Sequence, residues 1–161
     1  MSRSLVAYFS ASGVTKKVAE RLADATSSGI FEIVPEKLYS REDLDWRNEN
    51  SRSSVEMKDR SSRPPIAKKL DNMTDYHTIF IGFPIWWYRE PSIIDTFVES
   101  YDFSGRTIIP FATSGGSGMG DVRDNIKRIA EGANVIEGKR FSSSVTKEEL
   151  IDWAKEYLNR N

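Results

Sequence analysis

Residues 10–15 form a loop rich in hydroxyl side chains, between an apolar run and a helix-like segment. The loop reads Ser10-Ala11-Ser12-Gly13-Val14-Thr15. Amide groups at a helix N-terminus, together with the helix dipole, favour a bound anion, and hydroxyl groups add further donors. Gly13 lets the backbone close around a phosphate. The alternative, that Ser12 or Thr15 only caps the helix, is equally compatible with this loop by itself.

Three consecutive aromatic residues lie between two prolines in a second loop. This loop reads Pro84-Ile85-Trp86-Trp87-Tyr88-Arg89-Glu90-Pro91. Neighbouring side chains in an irregular loop cannot all point into a core, and an exposed aromatic cluster usually marks a surface that binds something flat or apolar. The alternative is that one tryptophan fills the core while the others pack on the surface. The pattern favours a binding surface.

A third loop contains four glycines among seven residues. It reads Ser114-Gly115-Gly116-Ser117-Gly118-Met119-Gly120. Backbone amides in such a loop are open to close approach by a ligand. By itself, however, the loop is more typical of a flexible connection in solvent. Its expected position beside the other two loops is what makes it a candidate for binding.

The elements that must position these loops alternate between strands and helices, which predicts an α/β fold with a mostly parallel sheet. Apolar runs predict strands at residues 5–9, 30–34, 78–83, 107–113 and 134–138. Apolar residues at helical spacing predict helices around residues 14–22, 93–98, 122–129 and 146–158. With strand order 2-1-3-4-5, the three loops follow the carboxyl ends of adjacent strands, where open parallel sheets bind ligands.

Several single residues predict where these elements begin or weaken. Pro91 can start the helix that follows it. Asp121 is expected to N-cap the next helix, and the spacing of Thr146 and Glu149 is that of a capping box. Pro110 weakens the assignment of a strand at 107–113 because proline lacks an N–H for the sheet.

Composition excludes several classes of function. The 161 residues carry 23 Lys and Arg against 24 Asp and Glu, so the basic excess typical of nucleic-acid binding is missing. The absence of cysteine excludes disulfides, thiolate zinc sites and cysteine nucleophiles, and one histidine makes a histidine-rich metal site implausible. No apolar run approaches the ~20 residues that cross a bilayer, and the N-terminus does not resemble a cleavable signal. We therefore expect a soluble, cytoplasmic protein without nucleic-acid or membrane partners.

The three loops resemble those of flavodoxins. The runs that carry the resemblance are AYFSASGVT, IFIGFPIWWYREP and SYDFSGRTIIPFATSGGSGMG, and the second is similar to a subgroup whose flavin loop reads Pro-Ile-Trp-Trp. The resemblance covers nearly the whole chain. It implies one flavodoxin-like domain over residues 1–161, a three-layer α/β sandwich around a five-stranded parallel sheet of order 2-1-3-4-5.

The resemblance also implies a non-covalently bound FMN and assigns residues to it by position. The 5′-phosphate would be held by Ser10, Ser12, Gly13, Val14 and Thr15. The ring system and ribityl chain would contact Pro84, Ile85, Trp86 and Trp87. The pyrimidine end would meet the amides of Ser114, Gly115, Gly116 and Gly118. These roles agree with the residue types, because a phosphate suits amides and hydroxyls and a flat ring suits an aromatic wall.

Two functions follow from the resemblance. The first is a flavodoxin-like electron carrier that serves a redox partner protein. The second is a small FMN-dependent reductase that passes electron pairs to quinone-like acceptors. Flavodoxins are usually strongly acidic, whereas this chain has a formal net charge of −1, which argues against an acidic shuttle.

A phospho-receiver signalling domain has the same strand order as the one predicted here. This chain, however, lacks the acidic residues that such a domain needs. Such a domain needs an aspartate at the end of the third strand, where this chain has Gly82, Phe83 and Pro84. It also needs an acidic pair after the first strand, where this chain has Ser10 and Ala11. This alternative is therefore remote.

The aromatic loop, residues 84–91, contains no glycine. Many flavodoxins turn a peptide of this loop towards the reduced flavin, and glycine makes the turn easy because it tolerates positive φ. Forcing another residue into the left-handed region costs roughly 1–2 kcal/mol. The sequence therefore argues against this turn and predicts weak stabilisation of the one-electron-reduced flavin, with the two one-electron potentials close together, which favours transfer of paired electrons.

Residues 39–65 interrupt the alternation of strands and helices. The segment is polar, carries five arginines and ends in two prolines. A short helix is predicted at 51–58, and the rest is expected to run over the surface. The less favoured alternative is that part of the segment covers the flavin or binds an anionic partner. Trp46, within this segment, and Trp153, in the last helix, are interpreted as packing residues.

Overall fold

The computed structural model describes residues 3–158 and shows helices on both faces of a parallel β-sheet. The strands are β1 (Arg3–Tyr8), β2 (Gly29–Glu32), β3 (Tyr76–Pro84), β4 (Thr107–Thr113), β5 (Asn134–Val135) and β6 (Lys139–Phe141). The helices are α1 (Val14–Thr26), α2 (Arg52–Lys58), α3 (Ser92–Glu99), α4 (Val122–Ile129) and α5 (Lys147–Leu158). The ends of the predicted domain range, 1–2 and 159–161, lie outside the described residues.

The sheet has the predicted order β2-β1-β3-β4-β5, which confirms the flavodoxin-like α/β fold. Side chains of β3 alternate between two buried clusters, as the pleat of a strand requires. Ile79 and Ile81 pack with α3 and α4 on one face, while Phe80 packs with α1 and α5 on the other. The central strands β1, β3 and β4 are covered on both sides, so their sequences contain nearly continuous apolar runs.

The predicted last strand at 134–138 is wrong in extent, because the chain forms two short strands there. β5 pairs with β4 at Thr107 and Ile108, and β6 pairs with it again from Phe111 to Thr113. Pro110 lies in the gap between these two pairings, which explains how a proline fits inside β4. The sheet therefore has six strands where five were predicted.

Helix ends agree in part with the predicted signals. The hydroxyl of Thr146 accepts a hydrogen bond from the Glu149 amide at 3.1 Å, which confirms the capping position before α5. Pro91 directly precedes α3 as predicted. Asp121 holds the N-cap position of α4, but its side chain makes no capping hydrogen bond.

The segment 39–65 interrupts the alternation of strands and helices as predicted, and its short helix is α2. A bridge between Pro35 and Ile66 closes the segment at its base, so it leaves and rejoins the sheet at one place. The segment is not only a solvated surface, because Tyr39 packs edge-on against the Trp86 ring at 5.4 Å between centroids. Burial and a hydrogen bond to Glu56 raise the pKa of Tyr39 above its usual range. Among residues 3–158, no helix is long and apolar enough to cross a membrane.

Candidate functional site

The hydroxyl loop between β1 and α1 is organised by Ser10. Its hydroxyl oxygen accepts hydrogen bonds from the amides of Gly13 at 3.1 Å and Lys16 at 3.2 Å. Gly13 occupies the N-cap position with φ +93°, a left-handed conformation that glycine adopts without strain. The amides of Val14 and Thr15 open the helix and have no acceptor within its first turn. The loop therefore offers amide donors at the positive end of the α1 dipole.

Ser12 and Thr15 occupy different environments in this loop. Ser12 is exposed and lines two cavities that open beside the loop. Thr15 is buried, and its hydroxyl shares a hydrogen bond of 2.7 Å with the hydroxyl of Thr113 at the end of β4. Thr15 thus links the loop after β1 to the loop after β4. Either hydroxyl can donate in this bond, so Thr15 keeps a proton available when Thr113 donates.

The two cavities adjoin and have volumes of about 610 and 500 Å³. Five residues line both of them: Ser12, Pro84, Ile85, Trp86 and Ser117. The larger cavity is further lined by Ala11, Leu44, Trp46, Ser53, Trp87 and Tyr88. The smaller is further lined by Val14, Thr113, Ser114, Gly115, Ser142 and Ser143. One cavity is therefore walled by aromatic side chains and the other by hydroxyl groups.

Eight of the thirteen predicted site residues line at least one cavity. They are Ser12, Val14, Pro84, Ile85, Trp86, Trp87, Ser114 and Gly115. The others are not among the lining residues: Ser10, Gly13, Thr15, Gly116 and Gly118. Gly116 and Gly118 lie in an exposed stretch where an added Cβ would meet nothing within 4 Å. The glycine-rich loop is therefore open above the smaller cavity.

The structure adds lining residues that the sequence did not indicate. The interpretation of Trp46 as a packing residue is wrong, because its side chain is 68% exposed and lines the larger cavity. Leu44 and Ser53 line the same cavity from the same segment. Part of the segment 39–65 therefore lines a cavity, while its covering a flavin or binding an anionic partner stays a prediction. Trp153 does pack, with ring contacts to Phe80, Phe111, Phe141 and Tyr157.

The aromatic loop adopts the left-handed turn that its sequence argued against. Trp87 has φ 47° and Tyr88 has φ 65°. On either side, Trp86 and Arg89 exchange two main-chain hydrogen bonds of 3.0 and 3.2 Å, which closes a two-residue hairpin. Two successive left-handed residues define a type I′ turn, which normally contains Asn-Gly. The loop therefore enters the left-handed region despite its residue types, while the predicted preference for paired-electron transfer stays a prediction.

A buried group of charged side chains lies behind this turn. The Arg89 guanidinium donates to the carbonyl oxygens of Met57 at 3.1 Å and Glu90 at 3.2 Å. It also forms ion pairs with the carboxylates of Glu90 at 3.7 Å and Asp95 at 3.6 Å. Asn125 donates to the second oxygen of Glu90 at 3.1 Å. Arg89, Glu90 and Asp95 are each at most 5% exposed.

Asp95 holds a proton more firmly than an ordinary aspartate. Burial, together with the adjacent Glu90 carboxyl group and its negative charge, raises the pKa of Asp95 to about 8, against the opposing charges of Arg63 and Arg89. Among the described residues, Glu90 Oε2 and Asp95 Oδ1 are buried with no hydrogen-bond partner. One proton shared by these two carboxyl groups would supply the missing donor.

A family model described as flavodoxin matches residues 3–157. No match was found among curated proteins. Solved structures similar to this chain include a protein from Bacteroides eggerthii described as a flavoprotein. That protein is 41% identical, with 99% of this chain and 100% of that chain covered and a TM-score of 0.92.

Two further solved structures extend the comparison. A protein from Bacteroides uniformis, also described as a flavoprotein, is 45% identical, with 96% of this chain and 98% of that chain covered and a TM-score of 0.90. A flavoprotein from Lactobacillus acidophilus was solved in complex with FMN. It is 23% identical, with coverage of 99% of this chain and 100% of that chain and a TM-score of 0.69, so it shows the shared fold alone.

Proposed function

Because this chain belongs to the flavodoxin family, we propose that it binds FMN non-covalently and carries electrons through it. The observation that supports this function is the pairing of a hydroxyl-lined cavity with an aromatic-lined one across the shared residues Ser12 and Trp86. FMN has the same two-part chemistry, a charged and hydroxylated tail joined to a flat ring. The residues present therefore fit FMN.

The polar end of FMN fits the loop after β1. A phosphate dianion can accept hydrogen bonds from the first amides of α1, those of Val14 and Thr15, and from the hydroxyl of Ser12. The positive end of the α1 dipole also attracts the anion. Among residues 3–158, no lysine or arginine lines either cavity, so binding here would rest on amides and hydroxyls. The proposed phosphate ligands are those the sequence indicated: Ser10, Ser12, Gly13, Val14 and Thr15.

The flat end of FMN fits the loops after β3 and β4. Pro84, Ile85, Trp86 and Trp87 would contact the ring and the ribityl chain. Main-chain amides of the open glycine-rich loop, residues 114–118, would meet the pyrimidine edge. When bound, FMN supplies redox chemistry with one or two electrons, and the protein binds, orients and shields it.

The absorbance spectrum of the purified protein tests this function. We expect the bands of oxidised flavin, and release of one FMN per chain on denaturation. Protein purified without flavin should regain the same bands when FMN is added. A colourless protein that takes up no added FMN would contradict the proposal.

A second candidate function is a small reductase that passes electron pairs to quinone-like acceptors. It is favoured by the aromatic rings at the mouth of the larger cavity, where Trp46 is 68% and Tyr88 is 77% exposed. Exposed rings at a cavity mouth can stack against a planar acceptor. An electron carrier needs only to bring the flavin close to a partner protein.

Oxidation of the reduced protein by a soluble naphthoquinone separates the two candidates. If the quinone binds, the observed rate saturates with quinone concentration, and Trp46→Ala raises the half-saturating concentration several-fold. Val55→Ala is a matched control, because Val55 lies in the same segment and is exposed without lining either cavity. A rate that rises linearly and equally in all three proteins would favour the carrier.

A further inference from the structure

The turn formed by Trp87 and Tyr88 is strained, and the strain needs a cause. Neither residue is glycine, asparagine or aspartate, the types that reach positive φ most readily. Each left-handed residue disfavours the turn by about a factor of ten. Such conformations persist only where surrounding structure imposes them, and they concentrate at functional sites. Both residues line the larger cavity.

One side of the turn is held by Arg89. This residue ends the hairpin through its main chain and is buried through its side chain. Its guanidinium donates to the main chain of α2 at Met57 and pairs with Asp95 in the first turn of α3. The end of the turn is therefore tied to two helices that lie apart in sequence. A lysine could keep the charge, but one ammonium group cannot reproduce this set of fixed donors.

The other side of the turn is limited by Gly120, at the end of the glycine-rich loop. A Cβ added to Gly120 would lie 2.3 Å from the carbonyl oxygen of Tyr88. The two loops thus approach each other closely enough that no side chain fits between them. The turn is confined between this contact and the buried guanidinium.

We propose that Arg89 is a positioning residue for the flavin site: anchored by Met57, Glu90 and Asp95, it holds Trp87 and Tyr88 in the left-handed turn that places their rings along the larger cavity. This role rests on the proposed binding of FMN. Arg89 acts through the turn and does not line the cavity itself. Its loss would let the turn relax and move the aromatic wall.

A double-mutant cycle tests this role by relieving the strain independently of Arg89. Tyr88→Gly removes the ring and the left-handed strain at position 88 together, whereas Tyr88→Ala removes the ring and keeps that strain; Trp87 is unchanged in both. The two variants form a matched pair. Arg89→Lys is then made in each, and the dissociation constant for FMN and the melting temperature of the apoprotein are measured.

We expect Arg89→Lys to weaken FMN binding about tenfold with Ala at position 88 and less than about threefold with Gly, because glycine relieves the strain at position 88 and leaves less for Arg89 to hold. The melting temperature of the apoprotein should fall less with Gly as well. Equal losses in both backgrounds would overturn the proposal and leave Arg89 as a core ion-pair residue. If Arg89→Lys does not fold, Glu90→Gln is taken through the same cycle, with the same criterion.

These outcomes are separate from failure of the proposed function. If the unmodified protein takes up no FMN, the flavin site itself is wrong. If it binds FMN and the cycle shows equal losses, only the role of Arg89 is wrong. The apoprotein melting temperatures report on the turn in either case, since they need no flavin.

Discussion

The loop after β1 and the loop after β3 reach left-handed backbone conformations in opposite ways. In the first, Gly13 takes φ +93° and the hydroxyl of Ser10, three residues earlier, accepts its amide hydrogen. In the second, Trp87 and Tyr88 take positive φ and are held by a buried arginine and a close backbone contact. One loop is stabilised by its own residues, and the other by the rest of the fold.

This difference matches the different requirements of the two parts of the candidate site. A phosphate site needs exposed amides in a fixed arrangement, which local capping can provide. An aromatic wall needs large side chains at positions where glycine would normally make the turn. In this loop Trp87 and Tyr88 have a strained backbone and retain their aromatic side chains. Arg89 and Gly120 confine the turn.

The largest expected effect comes from changing the glycine on which each loop depends: Gly120, which contacts the turn after β3, and Gly13, which lies in the loop after β1. Gly120→Ala should lower the free energy of unfolding by about 3 kcal/mol, because it adds left-handed strain at φ +55° and a clash with Tyr88. Gly13→Ala should lower it by only about 1–2 kcal/mol, because its Cβ would meet nothing within 4 Å. Urea unfolding of the apoproteins measures both values. Equal losses would show that the contact with the turn is not a constraint.

The hydroxyl loop, as the proposed phosphate site, should discriminate between ligands that carry a phosphate and those that do not. Ser12→Ala removes a donor to a charged group, which typically costs about 1.5–3 kcal/mol, so FMN binding should weaken by roughly one to two decades. Riboflavin, which lacks the phosphate, should bind more weakly and respond little to the change. Fluorescence titration of the apoprotein with each ligand gives the comparison. A similar loss for riboflavin would mean that Ser12 supports the loop only.

Thr15 offers a finer version of the same test, because its hydroxyl already bonds to Thr113. Thr15→Val keeps the shape of the side chain and removes both of its possible hydrogen bonds. We expect FMN binding to weaken by about one decade while riboflavin binding changes little. Equal losses would instead assign the Thr15 hydroxyl to the link between the two loops.

The buried acid pair behind the aromatic loop should make stability fall as pH rises. The native state raises the pKa of Asp95 from 3.8 to about 8, so the folded protein binds the proton more tightly than the unfolded chain. This contribution is complete below about pH 4, declines between pH 4 and 8, and changes no further above that range. The slope is at most about 1.4 kcal/mol per pH unit.

Asp95→Asn mimics the protonated acid and should flatten this dependence between pH 5 and 8. The measurement is the free energy of unfolding at several pH values, with the unmodified protein as the reference. Asp75→Asn is a matched control, because Asp75 is half-exposed and its ion pair within the described part of the chain is with Arg3, at 3.9 Å. Identical slopes for the unmodified protein and Asp95→Asn would contradict the shared proton.

Local signals in the sequence predicted most of the fold. The spacing of Thr146 and Glu149 and the apolar stripes of the helices are set by residues close in the chain, and the structure reproduces them. The split of the last strand was not predictable in this way. It depends on Pro110 of the neighbouring strand and on Gly138, whose added Cβ would lie 2.1 Å from the Pro110 carbonyl oxygen.

The candidate site also has one part that neighbouring residues determine and another part that depends on residues distant in sequence. The hydroxyl loop and the Pro84–Trp87 run were visible because their residue types match their chemistry. The position of Trp46 at the cavity could not be predicted in this way. The bridge between Pro35 and Ile66, which closes the segment 39–65 at its base, brings the Trp46 ring to the cavity. The left-handed turn was missed since propensity opposes it, and its supports, Met57 and Gly120, are about thirty residues away on either side.

The most direct test of the account is a crystal structure of the protein grown with saturating FMN. We predict one FMN across the two cavities, with its phosphate accepting from the amides of Val14 and Thr15 and its ring against Trp86 or Trp87. The turn at Trp87 and Tyr88 should keep its positive φ angles. FMN bound elsewhere, or both cavities free of flavin at saturating concentration, would contradict the account.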